Sequence, residues 1–229
     1  MPLPEHDDKH GADGFLKLLA PLYGPMQRAD KAHGCYRFHG HNYGGGRGLL
    51  FEFRRALRRH PLYCRVLGEH LVRQGHRADV AAWTGPDSHY AWLANAVGLH
   101  EEIEALLPAS RRLIVVDDEI LGAEFFPAHH VIPFLEQDGS YAGLPADDQH
   151  AVRELMRLRE DGADCLVLAF TAFWWLETYP EFHRYLSSTF RCLARSQRSI
   201  VFDLRRDAAT HDGDGEIRGA VSGGEPCGS

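Results

Sequence analysis

What this chain lacks excludes more than what it contains assigns. No apolar stretch in its 229 residues approaches the roughly 18 needed to cross a bilayer, so no membrane span is expected. Positive charge is not in excess. The formal net charge is −7, which argues against nucleic-acid or anionic-membrane binding through bulk charge. One basic cluster, Arg54-Arg-Ala-Leu-Arg58-Arg59-His60, reads as a solvated helix surface. Cysteine is scarce: five residues at unrelated spacings, with no C-x-x-C pair, give no disulfide framework. Cys165 and Cys192 lie in apolar runs and read as buried thiols. The opening residues 1–10 lack the apolar core of a secretory signal, so the reducing cytoplasm is the expected location. Also missing are a Ser-His-Asp elbow and an H-E-x-x-H helix, the simplest signatures of a serine hydrolase and a zinc protease.

What is present reads as globular. Hydrophobic residues make up 44% and charged residues 25%, enough to build a core. Residues 1–14 are polar and read as a flexible N-terminus. Residues 15–108 read as mainly helical, with a glycine-rich loop at 44–48. Apolar residues Leu50, Phe53, Leu57, Leu62, Val66 and Leu71 recur near helical spacing, and Pro61 is expected to split them into two helices. Residues 76–84 are ambiguous between a short strand and a link. Asp87 or Ser88 can cap a further helix running to Pro108, with a break expected at Gly98.

Residues 109–205 read as an α/β module. Short apolar runs (Leu113-Ile-Val-Val116, His130-Val-Ile-Pro-Phe134, Leu166-Val-Leu-Ala-Phe170, Ser199-Ile-Val-Phe-Asp203) alternate with amphipathic helices near 147–159 and 181–190. That alternation predicts a small Rossmann-like layer with a mostly parallel sheet of three or four strands. From 206 to 229 the composition falls to Asp, Gly, Ser and Glu and reads as a disordered tail.

The module resembles an uncharacterised α/β unit found beside or within bacterial glycosyltransferases and methyltransferases. The residues that carry the likeness are Gln137-Asp-Gly-Ser-Tyr-Ala-Gly143, Pro145-Ala-Asp147 and Thr171-Ala-Phe-Trp-Trp-Leu-Glu-Thr-Tyr-Pro-Glu-Phe182. It spans about half the chain. This chain departs from the family after the first strand, where an acidic-glycine pair is usual and Asp117-Asp118-Glu119 stands instead. The resemblance implies a role in bacterial glycan or secondary metabolism, with a small-molecule ligand or a partner transferase. If the chain is an enzyme, a transferase is expected.

Several constellations could carry chemistry. Asp117 and Asp118 end the first strand of the module, where ligands bind in open α/β sheets, and they are the candidate catalytic carboxylates. Tyr141, Thr171, Trp174 and Trp175 are candidate ligand contacts. Adjacent indoles cannot share one strand face, so one is expected in the core and the other at a rim suited to a sugar. Arg47 closes the run Gly44-Gly45-Gly46-Arg47-Gly48 ahead of a helix and could face an anion there, although neither nucleotide-binding glycine fingerprint is met.

Finally, Cys35-Tyr-Arg-Phe-His39-Gly-His41-Asn-Tyr43 is similar to the C-x-x-x-H-G-H-N-Y segment of 6-pyruvoyl-tetrahydropterin synthases. Two histidines at i and i+2 on a strand share a face and can hold zinc, with Cys35 as an ionisable thiol. No strand-rich pattern surrounds the segment, and glycines follow it. A polar loop with structural histidines is therefore the expectation, and a zinc site at Cys35, His39 and His41 the alternative.

Overall fold

The computed structural model describes residues 19–25 and 48–207. The chain divides into two compact units, one of Met1–Arg47 with Phe51–Ala94 and one of Gly48–Leu50 with Asn95–Ser229. The helices are α1 (Gly48–Arg73), α2 (Val80–Trp83), α3 (His89–Leu106), α4 (Asp148–Glu160), α5 (Trp175–Thr178) and α6 (Pro180–Thr189). The strands are β1 (Arg112–Val116), β2 (His130–Pro133), β3 (Glu136–Gln137), β4 (Ser140–Tyr141), β5 (Cys165–Ala169), β6 (Phe190–Arg195) and β7 (Ser199–Asp207).

In the first unit α1 continues through Pro61, against expectation. An interior proline removes one backbone hydrogen bond and crowds the preceding turn, at about 3 kcal/mol. The buried positions Cys64, Val66, Gly68 and His70 lie beyond it on the same helix, and their burial offsets that cost. Gly68 is where the chain returns closely: a Cβ there would come within 2.3 Å of a Val80 methyl. The ambiguous segment contains one helical turn, α2, whose Ala82 N–H donates to Asp79 at 3.1 Å. Ser88 caps α3 by accepting from the Ala91 N–H at 3.2 Å.

Nor does α3 break at Gly98. The Arg198 side chain lies against that position, and a Cβ would come within 2.6 Å of its Nε. The bare glycine thus serves a close approach rather than a break, and Glu102, one turn on, pairs with the same Arg198 at 2.5 Å.

The second unit is α/β, built on a five-stranded sheet of order β2-β1-β5-β7-β6. Strands β2, β1 and β5 are mutually parallel, whereas β7 runs antiparallel to both β5 and β6. The sheet is therefore mixed, and it has one strand more than expected. Residues 190–195, read partly as helix, form β6, and the three residues Ser196 to Arg198 are too short a link for anything but an antiparallel return. Ile114, Val116, Leu166, Leu168, Ile200 and Phe202 line one buried face together with Ala151, Leu155 and Leu158 of α4 and Phe182 and Leu186 of α6. The other face carries Leu113, Val115, Cys165 and Val167, all buried. Ser199 on that face donates to Glu102 of α3 at 3.3 Å. Cys165 is a free buried thiol whose pKa is pushed up to about 12, first by burial. Cys192, half-buried on β6, is disulfide-bonded rather than the second buried thiol expected.

A candidate ligand site at the carboxyl edge of the parallel strands

Because β1 and β5 are parallel and in register, Val116 opposite Leu168, the segments that follow them leave from the same edge of the sheet. The first segment turns back on itself at once. Asp118 and Glu119 adopt φ of +55° and +58°, left-handed values that crowd any side chain and favour glycine. Asp117 holds the turn. Its buried carboxylate accepts the N–H groups of Glu119 at 3.0 Å, Leu121 at 2.9 Å and Gly122 at 3.1 Å. Each such bond to a charged acceptor is worth about 1.5–3 kcal/mol, enough to offset the left-handed strain. Asp117 thus shapes the loop, with its carboxylate turned inward on the backbone.

Asp118 does something different. One carboxylate oxygen accepts the indole N–H of Trp174 at 2.9 Å and the other that of Trp175 at 3.1 Å. Trp175 is only 1% exposed and packs at a tilt against Phe134 and Tyr179 in the core, while Trp174 is 40% exposed. One indole lies in the core, as expected for one of the two, and the other is exposed. They are coupled through a single carboxylate. Thr171 lies in the 3₁₀ turn Phe170 to Ala172 after β5, and its hydroxyl donates to the Asp117 carbonyl at 3.3 Å. The two loops are stitched together.

Tyr141 lies on β4, in the hairpin that follows β2 in the chain. The Asp138-Gly139 pair, at φ +53° and +79°, makes the two-residue turn of the β3–β4 hairpin, in which Glu136 pairs with Tyr141. Two successive positive φ values are the geometry of the turn that matches strand twist, and Asp-Gly is its preferred sequence. Burial first, then the charges of Asp118, Asp117 and Glu119, raise the Tyr141 phenol above its ordinary pKa and keep it protonated. Tyr179, raised first by burial and then by Asp118 and Asp148, donates its hydroxyl to the Pro145 carbonyl at 2.9 Å.

Asp117, Asp118, Tyr141, Thr171, Trp174 and Trp175 are thus drawn to one edge of the sheet. Tyr179 and Glu119 belong with them and were not singled out in the sequence. Tyr179 had a usable signal, since it lies within the segment that carries the family likeness. Arg47, Cys35, His39 and His41 lie outside the described residues. Among the described residues no group of three His, Cys, Asp or Glu side chains is placed to hold a metal ion. No helix among them is long and apolar enough to cross a membrane.

The first unit has a concavity of its own, which sequence reading missed. A cavity of about 460 Å³ is lined by His60, Tyr63, Cys64, Leu67, Trp83 and His89, among others, and His60 contacts the Trp83 carbonyl at 3.0 Å. Its walls are mainly apolar, and nothing in the helical periodicity of 49–74 marks it. No family model, curated protein or solved structure matches this chain.

Proposed function

We propose that the chain binds a sugar-like or nucleotide-linked ligand at the carboxyl edge of a Rossmann-like sheet, within bacterial glycan or secondary metabolism, as a cytoplasmic transferase or a part of one. The observation that carries this reading is the exposed Trp174 ring, fixed by its N–H to Asp118, whose charge also reaches the Tyr141 phenol. An exposed indole can cover the C–H face of a sugar, and a hydroxyl within reach can donate to its oxygens. Parallel strands put this group where open α/β sheets take their ligands. A second reading, docking onto a partner transferase, draws on exposed apolar side chains in the segments after β1 and β4: Ile120 is 47% and Leu144 50% exposed. Exposed apolar side chains suit a protein surface as well as a small ligand.

A melting-temperature screen with free sugars, sugar nucleotides and S-adenosyl donors tests the ligand reading. The expected result is a rise of several degrees with at least one sugar-containing compound, lost in Trp174→Ala. If no compound shifts the wild type, and a partner transferase is retained by wild type but not by Trp174→Ala, the docking reading replaces it.

A further inference from the structure

We infer that the first unit holds a second binding site, walled by α1, α2 and the start of α3, for an uncharged aromatic molecule that carries a hydroxyl or N–H group. His60 is the acceptor that selects it. The site is the cavity of about 460 Å³, within the roughly 300–1,000 Å³ that small-molecule pockets occupy. His60, Tyr63, Cys64 and Leu67 stand at i, i+3, i+4 and i+7 on α1 and so share one helix face; Ala82 and Trp83 of α2 complete the wall with Ser88 and His89. Among the described residues, no lysine, arginine, aspartate or glutamate lines it. Charged side chains gather instead around a smaller cavity of about 240 Å³, which shares His60, Tyr63 and His89 and adds Glu52, Arg55 and Arg59. An ion entering the larger cavity would give up water with no counter-charge on its wall, so the site suits a neutral molecule. All of these residues belong to the unit that contains Phe51–Ala94, so the inference does not depend on the ligand reading at the sheet edge.

The side chains of the wall narrow the class further. Tyr63 and Trp83 offer aromatic surface, which suits a planar ring. Ser88 is already engaged: its hydroxyl donates to the Gly85 carbonyl at 2.6 Å and accepts the Ala91 N–H at 3.2 Å. His60 is engaged on one nitrogen only. A carbonyl can only accept, so the His60 Nε2 carries the proton given to the Trp83 carbonyl at 3.0 Å, and the neutral ring keeps its lone pair on Nδ1. No group among the described residues bonds to that nitrogen. The imidazole stacks on Tyr90 at 5.6 Å between ring centres and meets His89 edge-on at 6.3 Å, contacts that hold its orientation. His89 makes no hydrogen bond among the described residues either, but it is exposed and water competes there. His60 is half-buried in a mainly apolar wall, where a hydrogen bond is worth more. An acceptor so placed calls for a donor on the ligand.

The test is calorimetric binding of three probes to the full chain at neutral pH: 2-naphthol, 2-methoxynaphthalene and 2-naphthoate. They share one ring system and differ in offering a donor, no donor or a negative charge. Cys64, a free thiol 6% exposed in the same wall, reports the location through its rate of alkylation by N-ethylmaleimide, followed by peptide mass spectrometry. The expected order places 2-naphthol about fivefold tighter than 2-methoxynaphthalene, in line with one hydrogen bond, and 2-naphthoate weakest. Bound 2-naphthol should slow the alkylation of Cys64. His60→Phe, which keeps a ring against Tyr90 and removes the acceptor, should bring 2-naphthol and 2-methoxynaphthalene to within about twofold of each other. Ala82→Trp, at an exposed position, fills the cavity from its rim and should abolish both binding and protection with the melting temperature unchanged. Equal affinity for the two neutral probes, or a preference for 2-naphthoate, would overturn the ligand class and the role of His60. Binding that leaves Cys64 unprotected or survives Ala82→Trp would overturn the site, as would the absence of binding by all three probes.

Discussion

Asp117 and His129 are both buried polar residues of the same α/β unit, at opposite edges of its sheet and with opposite provision for their polar atoms. Asp117 follows β1 at the carboxyl edge and its two oxygens take three backbone N–H groups. His129 precedes β2 at the amino edge, its side chain is 0% exposed, and neither ring nitrogen has a hydrogen-bond partner. The nearest carboxylate oxygen, from Glu104, is 3.6 Å away, beyond a hydrogen bond. Burial alone therefore says little about what a polar group contributes. A carboxylate that organises a turn stabilises the fold, whereas a buried imidazole without hydrogen-bond partners costs free energy.

The comparison is broken most directly at Asp117. Replacement by alanine leaves three backbone N–H groups without their acceptor and exposes the strain of two left-handed residues, so a loss of about 3 kcal/mol is expected in denaturant unfolding. Asparagine, which keeps one oxygen in place, should lose about half of that. A change below about 1 kcal/mol for alanine would mean that the loop holds its shape without the carboxylate.

Asp118 separates shaping the loop from aiming a side chain. Asp118→Ala should cost about 2 kcal/mol, most of it from the buried Trp175 N–H left unsatisfied. The exposed Trp174 should show a red-shifted, more mobile fluorescence. A near-neutral effect with unchanged fluorescence would place both indoles by packing alone. On this geometry Asp118 is a positioning residue for Trp174.

The smallest effect sharpens the other half of the comparison. Burial pushes the His129 imidazole below its ordinary pKa of about 6.5; Glu104 opposes this and His100 adds to it. The folded chain binds that proton less readily than the unfolded chain. Its contribution to stability is therefore complete above about pH 6.5 and is lost as pH falls through the depressed native value. His183 is lowered in the same direction by burial and by Arg195, so it retains part of the slope. His129→Gln should flatten the acid side of the stability profile without abolishing it. An unchanged profile in that variant would show that His129 finds a proton acceptor as it charges.

The strands of the module were legible because a run such as Leu113 to Val116 has no alternative to burial on both faces, and that demand is local. Strand β6 was not, because its half-buried pattern follows a helix without punctuation. The continuity of α1 through Pro61 and of α3 through Gly98 was hidden as well. For Gly98 the deciding neighbour, Arg198, lies far along the chain.

By itself, the sequence determined an α/β unit, the residues at its strand ends and the burial of one of two adjacent indoles, because hydrophobic periodicity encodes which faces must leave water. Only the tertiary structure decided that β7 runs antiparallel. It also decided that Asp117 turns inward on its own loop and that Asp118 clasps Trp174 from 56 positions away. Periodicity specifies burial but not partners. A partner across the sheet is chosen by strand register and loop direction, which exist only once the sheet has formed.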